Sequence, residues 1–214
     1  MSQPMQSFDG MLRRTLEIER LIEAEYLKTD IGEAAYPRPF EKFLKCAKAV
    51  FPKLDIALQR IDKPFHTELV RAITLLEGPW RARVILNTDD DLGDEYTFVV
   101  TRSVFEVILK NTLPPDQLET PGAVTEINLL IDNLMSENLK ELNTASLLDT
   151  LSDAAAAEFL FPFRERLKIY AEDPDRPSVR EAARRFGIPI GIARYYLNPA
   201  MITTFQDFPL LSRP

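Results

Sequence analysis

Residues Asp153 to Leu197 read DAAAAEFLFPFRERLKIYAEDPDRPSVREAARRFGIPIGIARYYL, and they contain the clearest succession of helix signals in the chain. An alanine-rich segment ends at Pro162, and a break rich in proline and aspartate precedes two short amphipathic segments. Alanine favours helix and proline interrupts it, so the pattern predicts one helix and then a helical pair. We expect the pair at Ser178–Phe186 and Ile190–Leu197, with Gly187 in the turn between them.

The rest of the chain also carries mainly helical signals. Apolar periodicity predicts helices over Met11–Lys28, Phe40–Val50, Glu68–Leu76, Ser103–Lys110, Val124–Leu142 and Ser146 to about Phe161. Arg81–Asn87 and Tyr96–Val100 are rich in β-branched and aromatic residues and predict a hairpin or two neighbouring strands. Leu54–Arg60 fits either a short strand or a helix. The sequence therefore predicts an α+β, mainly helical fold, in which helices pack a small β-sheet or hairpin and a helical pair follows.

Composition limits the class of protein. The 214 residues suffice for one sizeable core, and the net charge of −7 argues against non-specific nucleic-acid binding by the whole surface. One cysteine excludes an internal disulfide framework, and no segment approaches the roughly 18 to 20 apolar residues of a membrane helix. The N-terminus lacks the basic start and apolar run of a signal peptide. We therefore expect a cytoplasmic protein that contacts no membrane.

Three segments together resemble the ImmA/IrrE family of zinc-peptidase-like regulators: Ala155–Pro162 (AAAEFLFP), Val179–Leu197 and Tyr96–Lys110 (YTFVVTRSVFEVILK). In that family a strand leads into a helix bearing HExxH. A later helix supplies an acidic third ligand and runs into an alanine-rich stretch, and a short helical pair follows. The resemblance implies a zincin-like scaffold over residues 81–200. The helices predicted before it make residues 1–80 an N-terminal helical region, and we expect one compact domain.

The catalytic motif of that family does not carry over to this chain. In either plausible register, Val100–Val104 or Thr101–Phe105, no histidine or glutamate stands at the required positions. Such a site holds zinc between two imidazoles at i and i+4, and its glutamate takes a proton from the zinc-bound water. The whole chain offers only His66 and Cys46 as nitrogen and sulfur donors. We therefore expect no metal, no cofactor, no catalytic residues and no peptidase activity.

Four further residues have plain structural interpretations. Asp149 and Asp153 lie near the region of the family's third ligand, and without the other ligands they are interpreted as solvent-facing helix residues. His66 follows Pro64 by two positions and is interpreted as a surface or capping residue. Cys46, in a segment with apolar neighbours, is interpreted as a small buried core residue.

Two charged segments are candidate contact sites. The first is acidic and comprises Asp89, Asp90, Asp91, Asp94 and Glu95. Its spacing does not fit an EF-hand, which leaves a solvated hairpin tip or a contact for a basic protein partner. The second is basic and would contact nucleic acid if the C-terminal pair were a DNA-binding helix-turn-helix. Arg176, Arg180, Arg184 and Arg185 would then contact phosphates, and Arg194 would read bases together with Asn198.

The function expected from these observations is binding. The opening of the second helix of the pair, Pro189 to Ile192, has no side-chain donors or acceptors for base edges, which favours a structural pair over a DNA reader. We therefore expect a non-catalytic regulatory or protein-interaction protein on a degenerate metallopeptidase-like scaffold, with a protein as its partner. A DNA-binding transcription regulator that uses the C-terminal pair is the alternative.

Overall fold

Helices pack on one face of a three-stranded sheet in the computed structural model, which describes residues 8–28, 36–60, 72–86, 95–113, 147–173 and 177–206. The strands are β1 Asp55–Arg60, β2 Ala72–Gly78 and β3 Arg81–Leu86. The helices are α1 Phe8–Lys28, α2 Phe40–Val50, α3 Glu95–Thr112, α4 Leu147–Leu160, α5 Phe163–Glu172, α6 Val179–Phe186, α7 Ile190–Tyr196 and α8 Pro199–Gln206. The predicted class, α+β and mainly helical, is confirmed. None of the described helices combines the length and the apolar character needed to span a bilayer.

The sheet has the strand order β1-β3-β2, with β3 in the centre. β1 runs parallel to β3, whereas β2 runs antiparallel to it and pairs Thr74 with Val84. Side chains alternate between the two faces of a strand, and the buried residues of β3 therefore mark the inner face: Ala82, Val84 and Leu86. α3 packs on this face, against both β2 and β3.

Two elements were predicted with the wrong secondary structure, one as a strand instead of a helix and one as a helix instead of a strand. Tyr96–Val100 forms the first turns of α3 instead of a strand, and the predicted helix Glu68–Leu76 is strand β2 over its described part. The hairpin partner of β3 is therefore β2. α3 is buried on most of its circumference, since it packs against the sheet, α2 and α4. A helix of this kind carries a nearly continuous apolar run, which periodicity cannot distinguish from a buried strand.

The other described predictions agree closely with the structure. α2 has the predicted bounds, and α1, α4, α6 and α7 each differ from theirs by at most three residues at either end. Cys46 is buried in the core, as interpreted. α5 and α8 were not predicted. His66 and the predicted helix Val124–Leu142 lie outside the described residues.

Two fully buried arginines connect the helices. The guanidinium of Arg38 lies 4.7 Å from the ring centroid of Phe159, donates to the Phe159 carbonyl, and lies 2.6 Å from the carboxylate of Glu23 on α1. Arg166 of α5 pairs with Glu158 of α4. Buried charges are tolerated only when they are paired, so these contacts constrain how α1, α4 and α5 pack.

The C-terminal helical pair forms as predicted. Gly187 ends α6 with φ 62°, a left-handed conformation that glycine adopts at little cost, and the Ile188 N–H donates to the Ala183 carbonyl. Ser178 lies at the N-cap of α6 but makes no side-chain capping hydrogen bond. The tight turn packs α7 directly against α6.

Candidate functional site

A cluster of charged side chains lies between α3 and α4. Arg102 of α3 donates from Nε to the carboxylate of Asp153 over 2.6 Å, and from Nη2 to the carboxylate of Asp149 over 2.5 Å. The two aspartates are four residues apart on α4 and therefore share a face of the helix, where they meet the fork of one guanidinium. The interpretation of Asp149 and Asp153 as solvent-facing residues holds in part, since their side chains keep 33% and 42% of their accessible surface. It missed their ion pairs, because packing of α4 against α3 brings both carboxylates to Arg102.

Glu106 extends the cluster towards the sheet. It lies one turn of α3 after Arg102, and its carboxylate accepts a hydrogen bond from the Thr74 side chain of β2. Burial raises the pKa of Glu106, and the negative charge of Asp149 acts in the same direction, while Thr74 and Arg102 oppose the rise. The cluster thus sets three carboxyl groups around one guanidinium.

The electrostatics of the cluster keep Arg102 charged. Burial opposes the charged guanidinium, but Asp153 and Asp149 more than offset this cost, so the pKa of Arg102 is raised. Burial also raises the pKa of Asp153; Arg102 counteracts this effect and Asp149 adds to it. Arg102 is therefore a fixed cation that holds two carboxylates, and it has no lone pair to offer a metal.

The cluster lies where the family resemblance would place a metal centre. Arg102 falls inside both registers considered for HExxH, Val100–Val104 and Thr101–Phe105. The first and last positions of both registers are buried in α3 and carry no metal-binding side chain. Within the described residues, no three His, Cys, Asp or Glu side chains are grouped so that they could hold a metal ion.

β2 borders the cluster and is an edge strand. Among the described strands it pairs only with β3, which leaves its other edge without a strand partner. Ile73, Leu75 and Leu76 of β2 are exposed, and Leu75 retains 45% of its accessible surface. An edge strand with unpaired backbone groups and exposed apolar side chains is a template for pairing with another chain.

The predicted acidic site can be located only in part. Asp89, Asp90, Asp91 and Asp94 lie outside the described residues, and Glu95 is the first residue of α3. The interpretation of the acidic segment as the tip of a hairpin is wrong. The acidic segment instead lies in the chain between β3 and α3, because the segment from Tyr96 onward is helical.

The predicted arginine site is on the surface of the helical pair. Arg180, Arg184 and Arg185 of α6 are exposed, as is Arg194 of α7. Arg185 lies 3.4 Å from the carboxylate of Glu165, whereas the other three make no ion pair with any residue that the structure describes. Arg176 lies outside the described part of the chain.

Sequence reasoning missed Arg102, Glu106 and Thr74. A signal was present, since Arg102 and Glu106 are the two charged residues in the otherwise mainly apolar segment Tyr96–Leu109. They are four positions apart, the spacing that Asp149 and Asp153 also have. The signal becomes visible only when the segment is treated as one helix and its polar face is matched to that of α4.

No model of a known protein family matches the chain, and no curated protein matches it. The resemblance to the ImmA/IrrE family therefore stays a prediction that depends on the sequence pattern.

Proposed function

We propose that this protein is a non-catalytic, regulatory binding protein whose scaffold resembles a degenerate ImmA/IrrE metallopeptidase. One observation carries the proposal: Arg102 makes ion pairs with Asp149 and Asp153 of α4. Arg102 itself lies in α3, the helix where the resemblance places the HExxH ligands. A guanidinium in this position supplies positive charge to the two carboxylates without supplying a Lewis acid or activating a water molecule.

The edge of β2 is the proposed contact for the partner. An extended segment of a protein partner would pair with its backbone, and apolar side chains of that segment would cover Ile73 and Leu75. These two residues share the outer face of the sheet with Ile85, the register partner of Ile73. The apolar character of this edge supports the proposal, because strand edges of monomeric proteins usually carry charges or proline that prevent such pairing.

The peptidase part of the proposal is tested with the purified full chain. Metal content is measured after incubation with excess zinc and desalting, and proteolysis is assayed on unfolded casein with and without a chelator. We expect no stoichiometric zinc and no chelator-sensitive cleavage. One zinc per chain together with cleavage that the chelator abolishes would overturn the proposal.

The binding part is tested by a surface substitution with a matched control. Leu75→Lys places a charge on the β2 edge, and Leu21→Lys places the same charge on another exposed leucine, which lies on α1 and is 55% exposed. Proteins crosslinked to the three forms in cells are quantified by mass spectrometry. We expect Leu75→Lys, and not Leu21→Lys, to lose a specific partner. Hydrogen exchange should then show protection of β2 amides in the purified complex, and unprotected amides would contradict pairing at this edge.

DNA binding is the second candidate function, and the exposure of three arginines on the helical pair favours it. Arg180, Arg184 and Arg194 have no ion-pair partner among the described residues, so their charges are available to phosphates. Duplex binding would weaken steeply with salt and would be lost when all three are changed to alanine, while Arg14→Ala on α1 would leave it unchanged. A chain that binds no duplex even at low salt would eliminate this function.

A further inference from the structure

A groove lies between α2 and the free edge of β1, at the opposite side of the sheet from β2. It encloses about 400 Å³ and is mainly apolar. Its lining residues are Phe40, Glu41, Leu44, Lys45, Lys48 and Leu58. Leu58 pairs with the buried Val84 and therefore lies on the inner face of the sheet, yet it is 38% exposed because the sheet ends there.

The two walls of the groove suit an extended chain. Phe40, Leu44 and Lys48 follow one another at intervals of four residues along α2, so they span about 12 Å at about 1.5 Å per residue. At about 3.3 Å per residue, this length matches about four residues of an extended peptide. The opposite wall is β1, which pairs only with β3, so its outer backbone donors and acceptors have no strand partner within the described part of the chain.

The rim of the groove is basic although the protein is acidic. Lys45 and Lys48 are exposed and make no ion pair with any residue that the structure describes, and Glu41 is the only acidic side chain in the lining. The chain as a whole carries a net charge of −7. The local charge therefore favours an anionic ligand, although the net charge of the chain is negative.

We infer that this groove binds an extended acidic segment of a protein partner, with an apolar side chain on Leu44 and Leu58 and carboxylates at Lys45 and Lys48. Backbone hydrogen bonds to β1 would fix the direction of the segment. A fatty acid would satisfy the apolar floor and the lysines, but it would leave the backbone groups of β1 unpaired, so a peptide fits the groove better. The groove is separate from the β2 edge, and the inference stands whether or not β2 pairs with a partner.

The probe is a blocked, fluorescent six-residue peptide in which leucine and aspartate alternate, and its anisotropy is followed as full-length protein is added. Two further probes are the same peptide with lysine in place of aspartate, and dodecanoate. We expect the acidic peptide to bind, the basic peptide not to bind, and NMR shifts of backbone amides within residues 55–60 on binding. Binding of dodecanoate alone, or peptide binding without shifts in β1, would overturn the inference.

Charge reversal tests the role of the rim. Lys45→Glu with Lys48→Glu should weaken binding of the acidic peptide by about tenfold or more. Lys110→Glu with Lys168→Glu makes the same change in net charge on α3 and α5 and should leave the affinity within about twofold. Equal loss in both double variants would show that only net charge matters and would overturn the inference, and so would no loss in either. Thermal melting verifies that all variants fold.

Discussion

Gly187, in the turn between α6 and α7, lies directly against Pro37, which precedes α2 in the chain. A Cβ atom added to Gly187 would lie 3.0 Å from the Cβ of Pro37, closer than ordinary van der Waals contact. Gly187 also has φ 62°, where a side chain is strained whatever space surrounds it. The contact joins the C-terminal helical pair to a segment 150 residues earlier in the chain.

Gly187→Ala should therefore destabilise the protein by about 1–3 kcal/mol, as strain and the contact with Pro37 both oppose the new methyl group. The free energy of unfolding from urea titration measures the effect. Gly191→Ala is the matched control, since a Cβ there meets nothing within 4 Å. Because alanine favours helix, this control should stabilise α7 by about 0.5–1 kcal/mol. Equal effects of the two substitutions would show that the close approach to Pro37 is not important.

Arg102→Leu should lower the free energy of unfolding by about 1–3 kcal/mol, because it leaves Asp149 and Asp153 facing each other without their cation. Arg102→Lys keeps the charge but loses the fork geometry, so its loss should be smaller. Adding Asp149→Asn and Asp153→Asn to Arg102→Leu should recover part of the stability. Denaturant titration of these forms gives the coupling energy, and simple additivity of all the substitutions would contradict the ion-paired cluster.

Glu19→Gln should raise stability at neutral pH by about 1 kcal/mol. Burial raises the pKa of Glu19 well above its ordinary value, nearby Glu23 and Glu158 add to the rise, and Arg38 and Arg20 oppose it. The folded state thus binds this proton more tightly than the unfolded state does. The resulting stability is present below the ordinary pKa and is lost as the pH rises through the raised pKa of the folded state.

The pH dependence of unfolding therefore distinguishes Glu19 from an exposed neighbour. Glu19→Gln should flatten the decline in stability above pH 4.5, whereas Glu17→Gln, on the exposed side of α1, should change stability by less than about 1 kcal/mol, since it removes only an exposed ion pair with Arg14. Chemical denaturation at several pH values between about 4 and 8 gives both profiles. The prediction would be wrong if the stability of the wild-type protein rose with pH across this window and Glu19→Gln left that profile unaltered.

Arg166→Met should destabilise by about 3–5 kcal/mol, since it removes the cation that pairs with the buried Glu158. The guanidinium of Arg166 also lies 4.8 Å from the ring centroid of Tyr196, so α7 should loosen as well. Arg164→Met is the control on the same helix, because that side chain is 52% exposed and lies 3.5 Å from Glu23. Its loss should be below about 1 kcal/mol, as for other exposed ion pairs. Hydrogen exchange of α7 amides tests whether this helix loosens.

The helices with one apolar face were predictable from the sequence. Phe40, Phe43 and Ala47 are buried on α2 as their spacing indicates, and Pro52 follows its end. A single buried stripe produces a clear period in the sequence, so these elements were recognised without tertiary information. The exception on α1 is Leu21, which is exposed although the neighbouring apolar residues Ile18 and Ile22 are buried.

The elements that were not predicted correctly from the sequence have burial patterns of another kind. β2 exposes apolar residues on both faces at a sheet edge, so Ala72–Gly78 lacks the alternation that marks a strand. α5 buries Arg166 and Glu165 although both are charged, and charged residues normally indicate an exposed position. In both cases the environment comes from other elements, and a local pattern does not contain it.

The supply of nitrogen and sulfur ligands for a metal is a property of composition alone: beyond one histidine and one cysteine, a metal site in this chain would have to use oxygen ligands however the chain folds. The amphipathic helices were likewise determined by local sequence, because the apolar residues within each helix define the face that it buries. The association of Arg102 with Asp149 and Asp153 was decided by tertiary packing. Those partners lie 47 and 51 residues away in the chain, and the energy of an ion pair depends on distance and burial, which only the packing of α3 on α4 establishes.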